Sequence, residues 1–169
     1  MLKNTFIISL SALILLGCSK SVKQNNNKSE ANSTIITIRG SDKIKDEILR
    51  KTMLEYFTFE SKYDFLKEYN YLSSRILKNN FKGINSAEEY VARMKKTTEE
   101  YVKTEYLEVT DFKKVNDNNC IIYVSCRSQD SGVTNEMSKE IVRYGYIFVK
   151  EYGLWKYDGT EPGSFEVLE

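Results

Sequence analysis

The chain contains no histidine, so any general base it carries must be a carboxylate. Asp111, in the phrase EVTDFKK, is the acid to nominate, with Tyr123, Tyr144 and Tyr146 as the phenol donors that could share a pocket with it. No diad at fixed spacing supports this set, and a buried tyrosine is more often a core residue whose hydroxyl finds one partner. No Gly-rich phosphate loop, serine nucleophile motif or paired-cysteine metal site is present, so neither a cofactor nor a metal is expected. Cys120 and Cys126 frame CIIYVSC. Read as one strand, that phrase separates their Cα atoms by about 20 Å, against the roughly 7 Å limit of a disulfide. Even spacing puts both on one face as buried free thiols packing like small apolar groups. A bend in the strand or a bridge between two molecules is the alternative.

A third cysteine has a different chemistry. Lys3 precedes an apolar run, TFIISLSALILL, that closes with Leu15, Leu16, Gly17 and Cys18. Thr5 to Gly17 is thirteen residues, too short to span a bilayer, which takes about 20. LLGC resembles a bacterial lipobox: the small Gly17 admits a signal peptidase, and the Cys18 thiol takes a diacylglycerol. Residues 1–17 are thus expected to be a lipoprotein signal peptide. Two or three acyl chains on Cys18 would hold the mature chain at the cell membrane, on the extracytoplasmic side.

Removal of Lys3 leaves 24 basic residues against 24 acidic ones. A near-neutral surface has no general electrostatic attraction for nucleic acid or acidic lipid, which excludes nucleic acid as a partner. Residues 18–33 continue as SKSVKQNNNKSEANS after the cysteine, too poor in apolar side chains to offset the entropy of ordering. They read as a disordered tether with a reach of about 20 Å.

All twelve tyrosines and seven of the eight phenylalanines lie in residues 34–169, which read as one domain. TIITI could be a short leading strand, broken at Gly40 and Ser41. In SDKIKDEILRKTMLEYFTFE, Ile44, Ile48, Leu49, Met53, Tyr56 and Phe57 recur at helical steps. A second helix is expected over SKYDFLKEYNYL, with Ser61 as its cap and Tyr63, Leu66 and Tyr69 facing inward. Ser86 and Glu89 form a capping box for a third, whose apolar face is Tyr90, Val91, Met94, Tyr101 and Val102.

The period then changes. EYLEVTDFKKV, CIIYVSCRS, EIVRYGYIFVKE and LWKYD are β-branched and aromatic, separated by polar turn clusters that favour antiparallel pairing. The middle two are apolar on both faces, as central strands would be. The expected fold is α+β: N-terminal helices packed on a curved, mainly antiparallel four- to five-stranded sheet. In VKEYGLWKYDG, EYG supplies a turn, and Trp155 shares a strand face with Tyr157 while Leu154 and Lys156 take the other. The chain's only tryptophan is either an exposed platform or a hairpin plug against the helices, and the strand pattern favours the plug.

The phrase YLSSRIL…INSAEEYVARM, followed by strands ending in FVKEYGLWKYDG, resembles the nuclear-transport-factor-two-like, cystatin-like α+β cone. More narrowly it resembles small bacterial lipoproteins of unknown function built on that fold. The resemblance runs from about Lys43 to Gly159 and rests on Tyr71, Leu72 and Ser73, Ser86, and Gly153, Trp155 and Lys156. It implies a cone open at one end, used in different members for catalysis, ligand binding or protein partners. Its isomerases and cyclases use an aspartate or histidine base. The combined reading is a membrane-anchored, non-catalytic interaction module with a protein partner or a second copy of itself. The alternative is a binder of a small apolar or amphipathic ligand in the cone pocket.

Overall fold

In the computed structural model the described residues are 34–97, 103–129 and 137–168. The signal segment with Leu15, Leu16, Gly17 and Cys18, the tether, and Tyr101 and Val102 of the third helical stripe lie outside them.

The fold is α+β, and the described residues form four α-helices packed against an open antiparallel sheet. The helices are α1 (Glu47–Ser61), α2 (Phe65–Tyr69), α3 (Ser74–Asn80) and α4 (Ala87–Thr97). The strands are β1 (Thr104–Asn116), β2 (Asn119–Ser128), β3 (Val142–Glu151), β4 (Leu154–Thr160) and β5 (Glu166–Val167). They run in the order β1-β2-β3-β4, with β5 pairing the start of β3. β2 and β3 are central, as their two-sided apolar character requires. Among the described residues, no helix is long and apolar enough to cross a membrane.

Several local expectations shift. The TIITI segment does not form a strand. Arg39 alone makes a parallel bridge to Glu108, and the fifth strand is instead the C-terminal pair Glu166–Val167. α1 starts at Glu47 rather than near Ser41, because Asp46 caps it, accepting from the Leu49 N–H at 3.0 Å. Before it, a 3₁₀ turn at Ser41–Lys43 carries Ile44 into the core in extended backbone. Leu49, Met53, Tyr56 and Phe57 are buried, but Ile48 lies at the margin of that stripe and is 65% exposed.

The stretch SKYDFLKEYNYL holds the last residue of α1 and the short α2, and α3 follows beyond it. Ser61 belongs to the end of α1, its hydroxyl donating to the Thr58 carbonyl. Asp64 caps α2, which buries Phe65 and Glu68 while Leu66 is 54% exposed. Ser73 caps α3, accepting from the Ile76 N–H at 3.0 Å. At α4, Ser86 accepts from the Glu89 N–H at 3.3 Å, whereas the Glu89 carboxylate takes the N–H of Asn85 at 2.7 Å rather than that of Ser86. Tyr90 and Met94 are buried and Val91 is half-buried.

Both edges of the sheet are partly covered. Arg39 exchanges backbone hydrogen bonds with Leu107 and Val109 on β1, and residues 71–73 do the same with Tyr157 on β4. Edge strands blunted in this way offer little room for another strand to add. The β3–β4 hairpin turns on Tyr152 and Gly153, both left-handed at φ 52° and 83°, the two-residue turn whose twist matches the flanking strands.

The core lies between the helices and one face of the sheet. Phe57 is fully buried and stacks on Tyr106 at 4.1 Å, with the edges of Tyr146 and Phe148 against it at 4.8 and 6.4 Å. Trp155 is buried on this face, its Nε1 donating to Asp46 at 3.2 Å, and the Lys150 ammonium lies 5.0 Å from its ring. The plug reading of the hairpin is the one the fold adopts. α3 is latched to β4 by a buried carboxylate: Asp158 accepts from the Ser73 hydroxyl and from Arg75 Nε at 2.9 and 2.8 Å. Ser73→Ala removes both a helix cap and a partner of that buried charge. It is expected to cost about 1–2 kcal/mol in chemical denaturation.

Cys120 and Cys126 are free and buried on the core face, and burial pushes their thiols up to about 12 and 11. Neither is expected to react with iodoacetamide in the native protein at pH 8. Rapid labelling of either would place it at the surface.

Candidate functional site

The four residues nominated from sequence do not meet. Strand register puts Asp111 opposite Tyr123, and Tyr123 opposite Gly145, all on the outer face of the sheet. Tyr144 and Tyr146 pair with Val124 and Ile122 and so face the helices. Asp111 is exposed and its carboxylate accepts from the next backbone N–H at 2.7 Å. Tyr123 donates to Glu161 at 2.6 Å and lies under the Arg143 guanidinium at 5.2 Å. Gly145 leaves room for that contact, since a Cβ there would sit 3.0 Å from both Glu161 and Tyr123. Tyr146 is buried against Phe57 and Tyr106, while Tyr144 packs on Phe165. The sheet itself separates the proposed base from two of its proposed donors.

A different site forms on the helix side. A cavity of about 280 Å³ opens between the four helices and β4, just under the roughly 300–1,000 Å³ of drug-sized ligand pockets. Its walls include Tyr56, Tyr63, Phe81, Tyr90 and Tyr157, and two carboxylates, Glu60 and Glu68, line it. Local backbone brings those acids together. Glu60 ends the inward stripe of α1. Tyr63 then adopts a left-handed φ of 56°, a conformation uncommon for a bulky side chain. It lets the Tyr63 and Asp64 N–H groups bond back to Glu60 and Phe59. The chain reverses, and α2 returns Glu68 to the same cavity.

The two acids have different partners. Glu60 accepts from Tyr106 at 2.8 Å. Glu68 is 6% exposed and accepts from Tyr90 at 3.2 Å through one oxygen, while its Oε2 is buried without a hydrogen-bond partner. Burial raises the Glu68 carboxyl to about 7, helped by the charge of Glu60 and opposed by the Tyr90 hydrogen bond. Glu60 is also raised, by burial, against the Tyr106 bond. The phenols stay protonated: burial pushes Tyr157 up to about 12 and Tyr56 well above its ordinary range. Tyr56 and Tyr157 stack at 4.4 Å, and Phe81 meets Tyr90 edge-on at 4.9 Å. Among the described residues that line the cavity there is no lysine or arginine. The arrangement can hold a proton near neutral pH or meet a positive charge on a ligand.

Neither acid was singled out by sequence, although a signal existed. Glu60 falls on the Leu49–Met53–Tyr56–Phe57 stripe, and Glu68 lies three residues from Phe65 on the buried side of α2. A glutamate on an apolar stripe is the pattern to look for.

A second concavity, of about 930 Å³, runs between α1 and β4. Ile48, 65% exposed, and Leu154, 58% exposed, border it with Arg50, Lys51 and Lys156. No group of three or more acidic or cysteine side chains among the described residues could hold a metal ion.

No protein-family model matches the chain, and no curated protein matches it in sequence.

Proposed function

We propose that the chain is a lipid-anchored extracytoplasmic binding protein, without catalytic activity, whose domain is a nuclear-transport-factor-two-like cone enclosing a small-molecule site. The observation that carries this reading is the cavity lined by Glu60 and Glu68, in which a nearly buried carboxylate oxygen lacks a partner. Such a group costs stability unless a ligand meets it, and groups of that kind concentrate at functional sites. The covered sheet edges count against self-association by strand addition. The sequence supports the anchor through Leu15, Leu16, Gly17 and Cys18.

The site is tested by native mass spectrometry of the full chain extracted from membranes, with a thermal-shift screen of small polar and amphipathic molecules. A co-purifying molecule, or a ligand that raises the melting temperature by several degrees, is expected. A chain with neither has a cavity without a ligand, which overturns the reading. The anchor is tested by metabolic labelling with a fatty acid. Cys18→Ala is expected to abolish both label and acyl-dependent membrane retention, and unchanged labelling would remove the anchor from the proposal.

A second reading, a protein partner on the groove between α1 and β4, is favoured by exposed Ile48 and Leu154. A photo-crosslinking residue at Leu154 would trap that partner on intact cells. A clean monomer band at Leu154 would leave the cavity as the functional element.

A further inference from the structure

We infer that the cavity takes a small organic ammonium, a primary or methylated amine carried on an apolar body. This rests on the binding reading above and names the class of ligand. Three independent features of the same space point to it. The first is charge: Glu60 and Glu68 both line the cavity, and no cationic side chain among its described residues offsets them. An entering cation would relieve the repulsion between the two carboxylates and give the buried Glu68 Oε2 the donor it lacks. The second is the wall. Tyr56, Tyr63, Phe81, Tyr90 and Tyr157 present aromatic surface around those acids, the surroundings in which ammonium groups gain from ring faces. The third is size, since about 280 Å³ admits an amine with a short apolar body and not a long acyl chain.

A divalent metal fits less well. Calcium takes six to eight oxygen ligands and magnesium demands an octahedral shell, whereas this site offers two carboxylates among aromatic rings. An anionic ligand would meet like charge. An ammonium could also come from a zwitterionic lipid headgroup, but its phosphate would meet no basic side chain among the described residues of the cavity, so the free amine is the source to which the structure commits.

The acids also set the pH dependence. Among the described residues, besides Glu60 and Glu68, the titratable groups facing this space are the phenols Tyr56 and Tyr63 of α1 and the turn after it, Tyr90 of α4 and Tyr157 of β4. Burial raises the phenols of Tyr56, Tyr63 and Tyr157 above their ordinary range, so these three stay uncharged around neutral pH. Affinity for a permanently charged ammonium should therefore rise between pH 5.5 and 8, as Glu68 gives up its proton.

The test uses the full chain in a neutral detergent and isothermal titration with a matched panel. The panel holds phenethylamine, phenethyl alcohol and phenylacetate, with benzyltrimethylammonium for the pH series and dihexanoylphosphatidylcholine below its micelle concentration as the lipid arm. At least one ammonium is expected to bind tenfold or more tightly than the alcohol, with phenylacetate and the short-chain lipid weakest. Glu68→Gln should remove that preference and flatten the pH series. Glu60→Gln should reduce the preference in part, and it provides the second variant if Glu68→Gln folds poorly. If the alcohol or the carboxylate binds as well as the ammonium, or Glu68→Gln leaves the preference intact, the cation inference fails and the binding site stands. Tighter binding of the lipid than of the free amines overturns the assignment to a free amine. If nothing in the panel or the wider screen binds, the binding reading itself fails.

Discussion

Replacing Trp155 by alanine is expected to destabilise the domain by about 3–5 kcal/mol, the usual range for truncating a buried aromatic. The indole is 6% exposed, and more than its own packing depends on it. Asp46 divides its carboxylate between the Leu49 N–H at 3.0 Å and the Trp155 Nε1 at 3.2 Å. One side chain therefore caps α1 and ties that cap to β4. Removing the indole opens a cavity and frees the capping oxygen to rotate, so the first turn of α1 should fray along with the packing loss. Trp155→Phe keeps most of the apolar body and loses only the hydrogen bond, and about 1–2 kcal/mol is expected for it. Urea unfolding of both variants at pH 7 reads the difference. An alanine variant within 0.5 kcal/mol of the parent, about the range of an ordinary surface change, would mean the indole is a surface platform and not a plug.

The second large effect concerns pH. In the unfolded chain Glu68 ionises near its ordinary value of 4.5, whereas in the folded protein burial delays this to about 7. Between those values the native state holds a proton that the unfolded state has released. The stability of the domain should therefore fall as pH rises from about 4.5 to 7 and level off above. At 1.36 kcal/mol for each unit, the loss is about 3 kcal/mol. Glu60, raised in the same direction, adds to it. Asp46 behaves oppositely: its capping bonds hold its carboxyl below the usual range, so its contribution is present above about pH 4 and disappears in acid. Comparison with Glu68→Gln isolates the cavity term, because the amide keeps the shape and cannot ionise. The variant is expected to match the parent near pH 4.5 and to exceed it by about 2–3 kcal/mol at pH 8. A difference that is the same at both pH values would show that Glu68 ionises as freely in the fold as outside it.

The two predictions connect at the site. A carboxylate that lowers stability at neutral pH is retained at a cost, and loss of function on stabilising it is the familiar pattern for residues kept for binding. Glu68→Gln should thus make a more stable protein that binds an ammonium less well.

Much of the architecture is legible in residue order alone. The change from helical to alternating period, the polar turn clusters and the two-sided apolar strands suffice for α+β with β2 and β3 inside. They also place Trp155 with Tyr157 on the helix face, because a strand has only two sides. Even spacing likewise buries Cys120 and Cys126 together and too far apart to bridge. These are properties of a single element, and periodicity reports them directly.

What residue order does not decide is where one element meets another. The helix begins at the Asp46 cap, so Ile44 enters the core from extended backbone, and Ile48 lies outside the face that packs on the sheet. The nominated set of Asp111, Tyr123, Tyr144 and Tyr146 failed for a related reason: register assigns neighbouring strand positions to opposite faces, and only pairing reveals which face meets the helices. The acid pair at Glu60 and Glu68 depends on one left-handed residue, Tyr63, that folds α2 back onto α1. Local sequence specified the strands, their turns and their buried faces through hydrophobic period and turn chemistry. The cavity and its charge came from tertiary packing, which alone brings side chains from separate helices and a strand around one space.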